Sequence, residues 1–360
     1  MKRFITSLTL CALALALRLG MRAVPQFANI YAEHLNAFWV NTLGRLSSLF
    51  GFSVVEFLIY LLIILAVVLV VRVIWGNIRR IGDGKIYGKD ELLLALVLAS
   101  VIFFLFECNQ DMYFYRTTFS KTYGIGQGSY TTDELEAVCR MLAENVNALS
   151  TKVTRNEDGI MQCDADIRNR TRLAMTALGE KYPYLGGWFP KAKPVTVSEL
   201  LSYSNMTGIY SAYTIEANYN TDMTPYNIPY TMCHELSHLK GVMQENQANF
   251  CAYLACTNAE DPDILYSGYL MAWVYCGNEL YRRDFDRWNE ISGTLEHNCN
   301  IDLNDNNAFW AKHEGKVSEA TESFNDSWLK AHGQTDGTLS YDKVVDLIIS
   351  YESKKAVNAG

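Results

Sequence analysis

The sequence lacks the features that would divide its longer, C-terminal part into several domains. Residues 109–360 contain no proline- or serine-rich linker, no internal repeat and no low-complexity tract. Aromatic residues make up 12% of the chain, which argues against a long disordered segment. We therefore expect residues 109–360 to form one domain with its own core.

An excess of positive charge is also missing. The formal net charge is −8, and residues 109–360 alone carry 21 basic and 33 acidic residues, a net of −12. An acidic domain does not suit nucleic acid or an anionic lipid surface, because both attract lysine and arginine. We therefore expect no nucleic-acid partner.

The nine cysteines lack the spacing of a disulfide framework. Cys11 and Cys108 fall in or beside apolar runs, and we expect Cys233, Cys251 and Cys256 to be buried free thiols. Four others remain available to pair outside the cytoplasm, in no specified combination: Cys139, Cys163, Cys276 and Cys299.

Long apolar runs dominate the N-terminal third of the chain. Residues 57–71 are uninterrupted, and with their flanks they would span about 30 Å as a helix, enough to cross the hydrocarbon core. Two further runs are similar, so we predict a membrane region, residues 1–108, with three transmembrane helices at about 4–21, 54–75 and 91–107.

The first apolar run has an alternative interpretation. Lys2 and Arg3, followed by about fourteen apolar residues, fit a cleaved signal peptide. No small-x-small cleavage site follows, which favours a retained helix.

Charges beside the apolar runs predict the orientation. Arg79, Arg80, Lys85 and Lys89 follow the second run, and the positive-inside rule places them in the cytoplasm. Lys2 and Arg3 agree with this orientation, whereas three arginines of the first loop count against it: Arg18, Arg22 and Arg45. We expect a multi-pass protein of the cell membrane, with the lipid bilayer as a partner and residues 109–360 on the extracytoplasmic side.

Most of the C-terminal domain has helical patterns. Thr131 and Glu134 form a capping box before a helix that ends near Ser150. Strand signals are confined to Gly208–Asn220 and a short stretch, Lys193–Val197. The predicted fold class is mainly α with a small β element (α+β), with further helices at 164–180, 262–282, 284–298, 305–331 and 340–353.

The strand at Gly208–Asn220 has two interpretations, which the sequence leaves open. It is either an edge strand that binds an extended peptide or an ordinary core strand.

The segment His234-Glu235-Leu236-Ser237-His238 is an HExxH motif. On a helix, residues four apart share a face about 6 Å apart, so two imidazoles can bind one zinc ion while Glu235 accepts a proton from the attacking water. The motif alone is weak evidence, since chance produces it in roughly one such chain in two hundred. The alternative is a surface helix with two unrelated histidines.

A third zinc ligand is available seven residues after His238. On one straight helix Glu245 would lie about 10 Å beyond His238, out of reach of the metal. Gly241 is suited to end the first helix, so that a second helix can turn back towards it. Asn249, four residues after Glu245, can then accept the free ring N–H of a histidine ligand.

These residues resemble the gluzincin group of zinc proteases, which pairs HExxH with a Glu-x-x-x-Asp/Asn helix. The chain is most similar to an uncharacterised bacterial family of membrane-anchored zinc metalloproteases. Its motifs are matched by Glu216-Ala217-Asn218-Tyr219-Asn220, Pro229, Cys233-His234-Glu235-Leu236-Ser237-His238 and Glu245-Asn246-Gln247-Ala248-Asn249-Phe250, and also by Phe324–Lys330 and Ser340-Tyr341. Gln247 is a departure, because a second acidic residue often stands there; Glu245 is left as the only carboxylate of this stretch.

The resemblance and the motif together predict a membrane-anchored, zinc-dependent metalloprotease of peptide or protein substrates. Zn²⁺ would be held by His234, His238 and Glu245, with Glu235 as general base and Asn249 behind the ligands. Two alternatives are a non-catalytic zinc-containing membrane sensor or scaffold and a metallohydrolase of cell-wall peptides.

Other histidines and polar residues are weaker candidates for a role in the site. An additional donor for the oxyanion is expected, with His297, Tyr281 and Arg282 as candidates. His34, His313 and His332 have no local motif, and we expect them to be surface residues.

Overall fold

The structure is a computed structural model that describes residues 2–79, 88–126, 129–331 and 343–359. The described part of its N-terminal third is mostly helical, and π-helical turns at Ala32–Asn36 and Val40–Gly44 interrupt the segment between the first two apolar helices. The helices are α1 (Lys2–Ala23), α2 (Pro25–Tyr31), α3 (Ala37–Trp39), α4 (Arg45–Ser47), α5 (Val54–Arg79) and α6 (Lys89–Asn109).

The helices α1, α5 and α6 are long and apolar enough to cross a membrane, as the sequence predicts. Most aliphatic side chains of α5 are exposed, and Glu56 is its one buried residue. Water does not tolerate an apolar surface of this size, whereas lipid does. Three such helices fit a membrane protein.

Ion pairs at both ends show that α1 and α6 run in the same direction. Arg3 lies 4.0 Å from Asp90 at one end, and Arg18 lies 3.3 Å from Glu107 and 3.2 Å from Asp111 at the other. The intervening α5 must therefore run the opposite way. Arg80 and Lys85, on which the predicted orientation partly depends, lie outside the described residues.

The rest of the chain is helical apart from one small sheet. Short 3₁₀ helices occupy Asp111–Tyr115 and Pro183–Leu185. The other elements are α7 (Phe119–Thr122), α8 (Thr132–Ser150), α9 (Ile167–Lys181), β1 (Lys193–Pro194), α10 (Ser198–Tyr203), β2 (Gly208–Ser211), β3 (Glu216–Tyr219), α11 (Asn227–Leu239), α12 (Glu245–Thr257), α13 (Pro262–Arg283), α14 (Phe285–Ser292), α15 (His297–His313), α16 (Lys316–Ala331) and α17 (Val344–Ala359).

The predicted class, mainly α with a small β element, is confirmed. The capping box of α8 is formed in both directions between Thr131 and Glu134. The sheet has the order β1-β3-β2, with β1 parallel and β2 antiparallel to β3, so β2 is an edge strand.

Three predicted boundaries are wrong. The strand expected over 208–220 is a hairpin, because the chain turns at 212–215 and Ile215 adopts φ 53°. The helix expected over 305–331 breaks at Glu314, whose backbone is extended, and Ser318 Oγ then accepts the amide of Gly315. The helix expected over 284–298 ends at Ser292, with Gly293 as its C-cap.

The core of the C-terminal part surrounds α12. Its residues from Gln247 to Cys256 are all buried, and the helix packs between α11 and α13. This central position explains why α12 shows no polar face in the sequence. The nine cysteines are free thiols, including the four that were available to pair.

Two histidines without a local motif have different environments. His34 is exposed, as predicted. His313 is buried, with 2% of its surface exposed, so its assignment to the surface is wrong. Its Nδ1 lies 2.8 Å from the carbonyl oxygen of Phe309, and its ring packs against Tyr203. His332 lies outside the described residues.

The first turn of α5 is fixed to the sheet by two carboxylates. Glu216, the first residue of β3, accepts the amides of Val54 at 3.2 Å and Val55 at 2.9 Å. The Glu216 carboxylate also pairs with the Lys193 ammonium. Since Glu216 and Lys193 are 1% and 2% exposed, this charge pair holds the start of an apolar helix on the sheet from within the core.

The second carboxylate of this junction belongs to α5 itself. Glu56 accepts the amides of Thr196 at 2.8 Å and Val197 at 3.0 Å, just after β1. The two elements thus exchange hydrogen bonds in both directions.

Replacing Glu216 with alanine should destabilise the whole protein. The substitution leaves the Lys193 ammonium buried without its counter-charge, which costs about 3–5 kcal/mol in the free energy of unfolding. Denaturation of the full-length protein in detergent measures this effect, with exposed Glu157→Ala as the control. Equal stability of the two variants would contradict the role given to Glu216.

Candidate metal centre

The two histidines are placed by α11. This helix begins at Asn227, and Pro229 lies in its first turn, where a missing backbone N–H costs nothing. His234 and His238 lie one turn apart, and their Nε2 atoms approach to 3.0 Å. The face that carries both rings turns towards the start of α12.

A Schellman turn ends α11 and brings the chain back. Gly241 has φ +78°, its amide donates to the His238 carbonyl oxygen at 2.8 Å, and the Val242 amide donates to the Ser237 carbonyl oxygen at 3.2 Å. A Cβ on Gly241 would also lie 3.0 Å from the Tyr113 ring. Both the backbone conformation and the packing therefore require glycine here.

Glu245 is the first residue of α12, where a carboxylate is favoured by the helix dipole. Its Oε2 lies 3.2 Å from His234 Nε2 and 3.7 Å from His238 Nε2. Ligands held tetrahedrally at 2.0–2.2 Å from one metal ion lie about 3.4 Å from one another. The three observed separations fall on both sides of this value, so the cluster could hold a metal ion.

The Nδ1 atoms of both histidines have hydrogen-bond partners, which leaves the Nε2 atoms available to bind a metal ion. His238 Nδ1 lies 2.6 Å from the carbonyl oxygen of Val242, which can only accept, so this nitrogen carries the hydrogen. His234 Nδ1 lies 2.8 Å from Asn249 Oδ1. Such partners orient an imidazole and raise the basicity of its other nitrogen.

Burial and charge shift the pKa values of the cluster. Burial alone would lower the pKa of His238, but the attraction of Glu245 outweighs it and raises the pKa to about 9. Burial would likewise raise the pKa of Glu245, but the histidines hold it well below its ordinary value. Without a metal the cluster therefore retains a proton, which metal binding would release.

Glu235 lies beside the cluster but outside it. It is 4% exposed, and its Oε2 has no hydrogen-bond partner within the described part of the chain. Burial, only partly offset by His234 and His238, raises its pKa to about 7. A side chain with this pKa can both accept and return a proton near neutral pH.

Gly208, at the start of β2, makes room for Glu235. A Cβ at this position would lie 2.6 Å from Glu235 Oε1 and 2.8 Å from the Asn218 carbonyl oxygen. Only glycine therefore allows the edge strand to approach the carboxylate so closely. The sequence gives no sign of this contact, because it depends on how the sheet packs against α11.

The segment that follows α6 supports both helices of the site. Arg116 donates to the Lys240 carbonyl oxygen at 2.9 Å, and its guanidinium stacks on the Tyr184 ring. The Ser120 amide donates to Gln247 Oε1 at 2.9 Å. Gln247, the departure from the family motif, thus anchors α12 to this segment.

The three candidate oxyanion donors lie in other environments. His297 is exposed at the start of α15, and Tyr281 packs against Phe285 and Trp288. Arg282 pairs with Glu279 at 2.8 Å. The structure brings together His234, Glu235, His238, Glu245 and Asn249, and none of these three is in a described contact with them.

The fold and the site define a mainly helical, membrane-type protein with a cluster of two histidines and one glutamate that could bind a metal ion. Residues 31–349 match the family described as protein of unknown function, DUF3810, and the chain belongs to that family. No curated protein matches the chain, and no solved structure does.

Removing the carboxylate of the cluster should weaken metal binding strongly. We expect Glu245→Ala to lose most of its bound divalent metal, because two imidazoles alone bind less tightly than three ligands. Asn249→Ala should lower the affinity about 10–100-fold, because it removes only the partner of one imidazole. Elemental analysis and metal titration of the purified protein measure both effects.

The control for these variants is Glu260→Ala, because Glu260 is exposed and lies just after α12. Full metal occupancy in Glu245→Ala would show that another residue supplies the third ligand.

Proposed function

We propose that this protein is a membrane-anchored, zinc-dependent metalloprotease. The observation that carries the proposal is the position of Glu235, a buried carboxylate with a raised pKa beside a three-ligand cluster. Metal-assisted hydrolysis needs a base at this place, whereas a structural metal site gains nothing from one.

Zinc suits the donor set best. Two imidazole nitrogens and one carboxylate oxygen with tetrahedral spacing are the ligands of catalytic zinc in proteases. No fourth histidine, cysteine or carboxylate completes the cluster within residues 2–79, 88–126, 129–331 and 343–359. Structural zinc sites usually close with a fourth protein ligand, so the three-ligand set favours a catalytic site.

The side chains of the cluster are partly exposed. Those of His234, His238 and Glu245 are 12%, 10% and 13% exposed. A substrate carbonyl can reach such a site while most of the solvent is excluded. A bound zinc ion would supply Lewis-acid polarisation of that carbonyl and favour ionisation of the attacking water.

The protein side chains would then carry the proton. Glu235 accepts a proton from the attacking water and later gives it to the leaving amine. Asn249 and the Val242 carbonyl keep the two imidazoles in the orientation that binds metal.

The edge strand β2 offers a binding surface for the substrate backbone. Thr207 pairs with Asn220 through a backbone hydrogen bond of 2.8 Å, and the antiparallel register then directs the amide and carbonyl of Gly208 and Tyr210 away from β3. A peptide added as a further strand would pass directly beside Glu235, without requiring particular side chains.

Glu235→Gln should keep the metal and lose hydrolysis. Glutamine has the same size but cannot accept the proton, so the turnover number should fall at least about 10²–10⁴-fold with little change in metal content. The assay is cleavage of unfolded protein by the purified full-length enzyme, with exposed Glu199→Gln as the matched control. Unchanged hydrolysis in Glu235→Gln would refute the proposed mechanism.

Adding cell-wall peptide as a second substrate to this assay separates the alternatives. A membrane sensor or scaffold would cleave neither polypeptide nor cell-wall peptide in the wild type. A metallohydrolase of the cell wall would cleave only the latter.

The proposed location of residues 109–360 is the extracytoplasmic side. Protease added to intact cells should therefore digest this domain while a cytoplasmic marker stays whole. Digestion of the domain only after the membrane is permeabilised would show the opposite orientation.

A further inference from the structure

The strand β2 connects the candidate site to the apolar helices. Its first residue, Gly208, lies against the Glu235 carboxylate. Its last residue, Ser211, pairs with Glu216, which accepts the first two amides of α5. At 3.3 Å per residue the strand covers only about 10 Å between these two points.

The end of α6 meets the same end of β2. Asn109, the last residue of α6, donates from Nδ2 to the Ala212 carbonyl oxygen at 3.0 Å. The Tyr210 hydroxyl donates to the Asn109 carbonyl oxygen at 3.2 Å. Two of the three membrane-type helices, α5 and α6, therefore each have one terminus beside the C-terminal end of β2. The candidate site lies at the N-terminal end of the same strand.

The segment between α1 and α5 adds an exposed apolar surface at this level. Both of its ends continue into membrane-type helices, so its exposed side chains extend the apolar surface of those helices. Its large apolar side chains, each at least 41% exposed, are Val24, Phe27, Ile30, Leu35, Phe38, Leu46, Leu49, Phe50 and Phe52.

The same segment also packs on the domain that carries the site. A Cβ on Gly44 would lie 3.4 Å from the Ile215 side chain, and the Ser47 carbonyl oxygen accepts from the Lys193 ammonium at 2.6 Å. These contacts hold the sheet, at β1 and at the turn that joins β2 to β3, against a segment whose other side is exposed and apolar. A bilayer around the apolar helices would therefore lie close to the site.

We infer that the site acts on membrane-anchored polypeptides and cleaves them in an extended stretch within about five residues of the membrane surface. The inference rests on the proposed proteolytic function and specifies its substrate class. A chain paired with β2 passes Glu235 beside Gly208 and reaches the helix ends beyond Ser211. An extended chain covers that distance with about three residues, at 3.3–3.6 Å each.

Cleavage of a tethered random stalk tests the inference. The full-length protein is reconstituted in liposomes with a reporter that carries one transmembrane helix and a randomised, unstructured stalk of about thirty residues, long enough to extend far beyond the site. Mass spectrometry maps the cleavage positions, with Glu235→Gln as the inactive control. We expect the cleavage positions to lie mostly within about five residues of the transmembrane helix.

The matched substrate is the same randomised stalk without its transmembrane helix. Tethering to the same membrane raises the local concentration, so the free stalk should be cleaved at least about tenfold more slowly. Cleavage spread evenly along the tethered stalk, or equal rates for tethered and free stalks, would overturn the inference and leave the proteolytic function intact. No cleavage of either substrate would overturn the proposed function and, with it, this inference.

Discussion

The site depends on one reversal of the chain, the turn at Gly241. A straight continuation of α11 would carry Glu245 away from both histidines, whereas the left-handed glycine returns α12 to them. The turn also supplies the Val242 carbonyl that fixes His238. A single backbone conformation thus determines the position of Glu245 and the orientation of His238, and Tyr113 and Arg116 hold it in place from the segment that follows α6.

The parts of the site that were predictable from sequence are those governed by local periodicity. The spacing of His234 and His238 places them on one helical face wherever that helix lies, and a glycine followed by Glu245 and Asn249 indicates a turn and a second helix. The same reasoning identified the three apolar helices and the capping box of α8, because each depends on residues close in sequence.

The parts that sequence reasoning missed depend on tertiary contacts. The apolar and polar pattern over 305–331 continues through the break, so only the extended backbone at Glu314 reveals two helices. His313 has no motif, yet its position against Phe309 and Tyr203 buries it. Packing between segments far apart in the chain brings Gly208 close to Glu235. It also forms the hydrogen bonds between Glu216 and the start of α5.

The parallel arrangement of α1 and α6 has a consequence for the order of biogenesis. Their ion pairs, Arg3 with Asp90 and Arg18 with Glu107 and Asp111, join the first of the three apolar helices with the third. In a membrane, neither pair could form before α5 had been inserted and α6 had followed it. The packing of α1 against α6 would then be completed only just before synthesis of the domain that carries the metal cluster.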